Sequence, residues 1–276
     1  MEKSNTQCLE FLSKRLKDYL KSKALRERYN WPLEKALNKA PNVVKDQGWF
    51  SKVASDKTPL FNRSLEMRRH FKGLLLTESD NEDILNWIVR DFGQIKRGSL
   101  TGALFSEIDR QFLDPDGTLD FKGIASWSKG LAFKYPETAA IYDARVVYSL
   151  NWLLMMSEDS RSSMLFPKPE GRNSILNALD YEMWMLIERE GLVNVQGMLQ
   201  NDTGKKSTFM RRLRKVCYYQ KGKAYKKYCA LLRRISEMMF GNDDDHLVKV
   251  EMLLFSIADK DIALEVLKYY GEKMGL

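Results

Sequence analysis

Lys129, in the segment Ser126-Trp127-Ser128-Lys129, and Asp143, in Ile141-Tyr142-Asp143-Ala144-Arg145-Val146, stand fourteen positions apart. A lysine is a nucleophile only while its amine is uncharged, and an aspartate stabilises positive charge that builds beside it. Together they suit the opening of a glycosidic bond, the amine attacking a sugar C1′ while the carboxylate supports the oxocarbenium-like charge left by the departing base. The pattern places each residue near the start of its own helix, where the partial positive charge disfavours an ammonium and favours a carboxylate. Plainer readings stand beside this one. Aspartate at a helix start is a routine N-cap contributing about 1 kcal/mol, and one lysine among 45 Lys and Arg is ordinarily solvated.

The elements that must position the pair are helices. Apolar residues recur at helical spacing, as in Leu9, Leu12, Leu16, Tyr19 and Leu20 or Val146, Val147, Leu150, Leu153 and Leu154, and strand-like alternation is scarce. The periodicity predicts helices over 5–29, 33–39, 62–75, 80–91, 100–112, 122–134, 143–157, 174–190, 193–200, 207–219, 222–240, 245–258 and 260–273. The fold class is all-α. Breakers at Trp31-Pro32, Asp114-Pro115-Asp116-Gly117, Pro167-Lys168-Pro169-Glu170-Gly171 and Gly241-Asn242-Asp243-Asp244-Asp245 separate the helices. They divide the chain into an N-terminal helical extension (1–60), a helical core (61–190) and a basic C-terminal helical region packed on the core (191–276).

The net charge of +8 is unevenly spread: Thr203 to Ser236 carries twelve Lys and Arg and no Asp or Glu, which leaves −4 for the rest of the chain. Local positive charge of this kind is a candidate polyanion contact or a solvated basic face. Within it Lys205, Lys206, Arg211, Arg212 and Lys215, followed by Tyr218, Tyr219, Tyr225 and Tyr228, mix cations with aromatics on two helices, which suits a phosphate track. The tyrosines could equally face the core while the basic stripe stays wet. Gly204-Lys205-Lys206-Ser207 lacks the full P-loop pattern and has no preceding strand. Cys8, Cys217 and Cys229 are expected to be reduced thiols, and the charged start lacks the apolar core of a signal peptide, so a cytoplasmic protein is expected. No uncharged run reaches the roughly 20 residues of a membrane span. With His70 and His246 the only histidines, neither a metal site nor a cofactor is expected, and the Asp243-Asp244-Asp245 cluster reads as a cap for the helix that follows it.

Ser126-Trp127-Ser128-Lys129, Leu131-Ala132-Phe133, Tyr135-Pro136 and Ile141-Tyr142-Asp143-Ala144-Arg145-Val146 resemble the catalytic segment of DNA glycosylases of the helix-hairpin-helix superfamily, nearest to the bacterial and archaeal 8-oxoguanine glycosylase-like branch. The resemblance covers about 60 residues, and it maps that family's Schiff-base lysine and its Val-Asp-x-x-Val aspartate onto Lys129 and Asp143. Two departures stand out. The family's Leu-Pro-Gly-x-Gly hairpin is replaced by Asp120-Phe121-Lys122-Gly123-Ile124-Ala125-Ser126, which keeps one glycine, and the spacing from lysine to aspartate is shorter than in better-known members. A monofunctional reaction, with water as the nucleophile, needs only Asp143.

Glycosylases extrude the target base and hold it between aromatic or apolar walls. Trp127, Phe133 and Tyr142 are the expected walls, with Trp87 and Phe92 as further candidates, although aromatics at helical spacing usually pack inward. Ser128, Arg145, Arg172 and Asn173 join the basic residues as expected DNA contacts, although Arg145 could equally pair with an acidic neighbour and Arg172-Asn173 also read as a plain loop before a helix. What the resemblance implies is a DNA N-glycosylase acting on double-stranded DNA, with or without lyase activity; the sequence leaves the oligomeric state open, a monomer being expected. Its substrate would be 8-oxoguanine or another modified base, including a hypermodified base of phage DNA in a defence role. The alternative is a helical nucleic-acid-binding or adaptor protein without chemistry.

Overall fold

The computed structural model describes residues 2–55, 57–78, 81–96, 98–157, 164–169, 173–179, 182–201, 215, 217–241 and 243–275. These are predominantly helical and include no strand, so the fold is all-α; a bridge from Leu165 to Tyr218 is the extended pairing present. The N-terminal third holds α1 (Glu2–Ser22), α2 (Leu25–Arg28), α3 (Leu33–Leu37), α4 (Asn42–Lys45), α5 (Phe50–Ser55) and α6 (Leu60–Thr77). Next come α7 (Glu82–Asn86), prolonged by a π-helical turn (Trp87–Phe92), then α8 (Gly102–Leu113), α9 (Ile124–Lys134) and α10 (Ala144–Met156). The remainder is α11 (Ser174–Ala178), α12 (Glu182–Glu190), α13 (Leu192–Gln200), α14 (Lys221–Phe240), α15 (His246–Ile257), a second π turn (Ala258–Ile262) and α16 (Ala263–Met274).

One continuous apolar core runs through the described chain, joining Leu9, Leu12 and Leu16 of α1 to Phe71 of α6, Val147 and Leu150 of α10, and Leu253 and Leu254 of α15. The two ends of the chain are thus built into the same core as the middle. Helices α10 and α14 pack on α15, α1 packs on α14, and α6 packs on α9. The basic helix α14 turns Tyr225, Tyr228, Leu232 and Ile235 inward, whereas Lys221, Lys223, Lys227, Arg233 and Arg234 are exposed. Apolar and charged residues therefore divide between its faces at helical spacing.

Several helix ends follow from single residues. Asn81 caps α7 by accepting Asp83 and Ile84 N–H, Thr101 caps α8 through Leu104 N–H, and Asp143 caps α10 through Arg145 N–H. Gly123 enters α9 at φ +70°, in the left-handed region that favours glycine. The expected cap at Asp243-Asp244-Asp245 is absent: α15 starts at His246 with no side-chain cap, while Asp243 pairs with Lys249 and Asp245 with Arg69. The predicted helix over 5–29 breaks after Ser22, where Arg28 folds back onto the Tyr19 carbonyl (3.0 Å) and the Ser22 hydroxyl (2.7 Å). The predicted helix over 207–219 lies mostly outside the described residues.

Glu265 ties the two ends of the chain together. Its two carboxylate oxygens both accept from Arg15 Nη2 at 2.9 Å, and the carboxylate also accepts the Tyr19 hydroxyl and the Trp152 indole N–H at 3.1 Å. Glu265→Ala leaves all three donors without this partner and is expected to lower stability by about 1.5–3 kcal/mol, the usual value of a hydrogen bond to a charged group. Urea unfolding measures it.

Candidate active site

Lys129 and Asp143 line one cleft. The cleft contains about 360 Å³ of atom-free space with its open mouth included, of which about 30 Å³ can be occupied by the centres of water molecules. That is room for water and far too little for a base, so a base enters only if the walls give way. Aromatic walls come from Tyr29, Trp31, Phe92 and Phe255; Ile141, Val146 and Met252 add apolar surface; Arg68 and Glu251 complete the polar lining.

Lys129 is 3% exposed and occupies the second turn of α9, not its head, with Nζ donating to the Ala125 carbonyl one turn back. Its stem lies against Gly93, at the end of the first π turn, where an added Cβ would stand 2.6 Å from both Cδ and Cε of the lysine. Only a residue without a side chain leaves the lysine this path. Burial pushes the ammonium below its ordinary pKa, because the charged form loses its water; Asp143 and Glu251 draw it back up, while Arg68 and Arg145 push it further down. The amine is biased towards its uncharged form by burial, not by a helix end.

Asp143 is held by the extended segment before α10, whose backbone groups are bonded in turn. Ala139 N–H donates to the Tyr135 carbonyl (2.8 Å), Ile141 N–H to Glu251 (2.7 Å) and Tyr142 N–H to the Ser128 hydroxyl (3.0 Å). The Ala140 and Ile141 carbonyls accept the hydroxyls of Tyr225 (3.0 Å) and Tyr228 (2.7 Å). These ties reach α9, α14 and α15. The segment therefore delivers Asp143 to the cleft from a fixed backbone.

The other expected site residues are distributed as follows. Trp127, Phe133 and Tyr142 are buried but do not line the cleft: Trp127 packs edge-on to Tyr225, Phe133 packs against Phe71 and Phe92, and the Tyr142 hydroxyl donates to the Pro167 carbonyl at 2.8 Å. Of the two further candidates, Phe92 lines the cleft and Trp87 stacks on Phe71 in the core. Ser128 is fully buried and faces Tyr142, not solvent. Arg145 lies over the Phe255 ring, its guanidinium carbon 4.0 Å from the centroid, with longer approaches to Asp143 (3.7 Å) and Asp259 (3.6 Å). Asn173 caps α11 and donates to Asp259 at 2.5 Å. Lys215 is exposed. Arg172, Lys205, Lys206, Arg211 and Arg212 lie outside the described residues.

Sequence reasoning missed Arg68, Glu251, Tyr29, Trp31 and Phe255 as cleft residues. The first two carried a readable signal: each is a charged residue at a core-facing position of an amphipathic helix, Arg68 between Leu65 and Phe71, Glu251 between Val248 and Leu254. Charges at such positions are rare unless paired. The aromatic walls carried none, since they come from elements distant in sequence. Among the described residues no group of three or more His, Cys, Asp or Glu is placed to hold a metal ion, and no helix is long and apolar enough to cross a membrane.

Comparison with protein-family models, with curated proteins and with solved structures returns no match to this chain. The geometry of the cleft thus carries the functional reading.

A buried lysine with a depressed pKa costs stability. Folding must release a proton, or hold the charge at a penalty, at any pH below the unfolded lysine's ordinary value of 10.5. The penalty is full below the folded pKa and disappears as pH rises towards 10.5. Lys129→Met keeps the volume and removes the charge, so it is expected to melt higher than wild type at neutral pH, the gap closing as pH rises. Calorimetry across pH 6–10 checks this.

Proposed function

We propose that this protein is a DNA N-glycosylase that acts on a base drawn out of the duplex into the cleft. The observation that carries the reading is that a buried lysine, biased towards its uncharged form, and a capping aspartate share one aromatic-walled cleft. The resemblance of the segment from Ser126 to Val146 to helix-hairpin-helix glycosylases points the same way. So does Gly123, whose left-handed backbone at the entry to α9 suits the glycine position of a hairpin.

In the lysine route the uncharged amine attacks C1′ and the bond from C1′ to the base breaks, its electron pair leaving with the base, which takes up a proton. The amine nitrogen loses a proton, and opening of the sugar ring leaves an imine that borohydride reduces to a stable adduct. In the water route, water takes the place of the amine and an abasic site results. Asp143 has the same task in both, stabilising the cationic sugar as the bond breaks. The base must displace the Arg145 guanidinium from Phe255 or slide beside it, since that ring face is already covered. The exposed cations of α14 and the basic residues before it would follow the phosphates, setting affinity without reading sequence. The substrate we favour is an oxidised guanine, with a hypermodified base of phage DNA as the second candidate. Repair would be the role in the first case and defence in the second.

Three expectations follow. Asp143→Asn should reduce alkali-revealed abasic sites in modified DNA by roughly 100-fold or more, the scale of losing one transition-state charge contact. Lys129→Gln should abolish the borohydride adduct. Base release that persists in Lys129→Gln alone selects the water route, and a wild-type protein that binds DNA but releases no base from oxidised or phage DNA returns the adaptor reading. Charge reversal at Arg211 and Arg212 should weaken binding and flatten the plot of log affinity against log salt by about 2, near one unit per phosphate contact. An unchanged slope removes these residues from the binding surface.

A further inference from the structure

Glu251 takes no part in the chemistry proposed above, yet it is the acid most fully bonded within the cleft. Its carboxylate and the Arg68 guanidinium form a two-pronged pair, Nη2 to Oε1 at 2.6 Å and Nη1 to Oε2 at 3.1 Å, with side chains 6% and 3% exposed. Oε2 also accepts the Ile141 N–H at 2.7 Å. Buried ion pairs of this kind are commonly no more stabilising than apolar residues of the same size. A reason other than stability is needed for keeping two full charges at the wall of a cleft.

Ile141 stands two residues before Asp143, in the segment whose backbone has no helix to hold it. Its remaining ties come from the hydroxyls of Ser128, Tyr225 and Tyr228 and from a turn onto Tyr135. Glu251 supplies the charged tie, and a hydrogen bond to a charged group is roughly twice as strong as a neutral one. The same pair also flanks Lys129 with opposite signs. The charged groups around that amine are Asp143 and Arg145 from α10, Arg68 from α6 and Glu251 from α15, with the phenol of Tyr29 on the aromatic wall.

We propose that Glu251 is a positioning residue: held by Arg68, it fixes the segment that carries Asp143 and balances the Arg68 charge beside the Lys129 amine. The proposal rests on the glycosylase reading for its reaction, and its effect on Lys129 can be measured without DNA.

Reductive methylation of the full-length protein with formaldehyde and borohydride, quantified at Lys129 by peptide mass spectrometry across pH 6–11, reads the protonation of the amine. Glu251→Gln keeps an acceptor for Ile141 N–H and loses the charge; its labelling midpoint should move to lower pH, while that of Arg68→Met moves to higher pH. In base release, Glu251→Gln should lose roughly 10-fold or more in kcat with KM little changed, as expected when a reacting group is misplaced. The double variant Arg68→Met/Glu251→Leu replaces the pair by apolar residues and should fold as well as wild type by urea unfolding while showing the same kcat loss. Opposite midpoint shifts in a protein that releases no base would uphold Glu251's hold on Lys129 and overturn the glycosylase reading alone. Active variants with wild-type midpoints and wild-type kcat would overturn the positioning role and leave the glycosylase reading intact.

Discussion

A buried stretch of chain outside any helix must find a partner for every backbone N–H and C=O, or lose the free energy of each unmade bond. In the segment from Ala139 to Asp143 the N–H groups of Ala139, Ile141 and Tyr142 and the carbonyls of Ala140, Ile141 and Asp143 are bonded, four of the six to side chains of neighbouring helices, and the arrangement of those helices follows from it. Helix α14 must present Tyr225 and Tyr228 to two adjacent carbonyls, which turns its cations to solvent. Helix α15 must place Glu251 under Ile141, which in turn requires Arg68 from α6. Ser128 must face Tyr142, which sets the rotation of α9 and sends Lys129, one residue on, towards the cleft.

Stability and the chemistry proposed for the cleft are opposed at Lys129. Its burial forfeits the hydration of an ammonium, a loss a folded protein avoids unless something else requires it. The surroundings are fitted to the lysine nonetheless: Gly93 leaves a path for the stem, and the Ala125 carbonyl receives the head group. A core optimised for stability alone would place an apolar side chain there.

Much of this was legible in the sequence, and the exceptions have physical causes. The two central helices were expected at 122–134 and 143–157 and occupy Ile124–Lys134 and Ala144–Met156, because Gly123, Tyr135-Pro136 and Asp143 are local signals that act within one turn. The break after Ser22 has no such signal; it depends on Arg28 bonding back to residues of α1. Helices α4 and α5 span four and six residues, too short for periodicity to register. Trp127, Phe133 and Tyr142 are near Lys129 and Asp143 in sequence and were expected beside them in space. The register of α9 sends Trp127 and Phe133 to the core, the extended segment before α10 turns Tyr142 inward, and the cleft takes its walls from residue 29 at one end of the chain to residue 255 at the other.

Two π turns bear on this cleft differently: the first reaches it through Phe92, and the second follows the helix that carries Phe255. One ends at Phe92 and Gly93, against the lysine stem; the other starts three residues after Phe255 and carries Asp259, which approaches Arg145. A π turn accommodates one residue more than an α-helix does over the same rise. Each is equivalent to a single-codon insertion in a regular helix, and removing that residue would rotate everything beyond it by about 100°. A homologue lacking the extra residue at 87–92 would keep the helices and the core pattern but turn Phe92, and the path that Gly93 leaves for the lysine stem, away from the cleft.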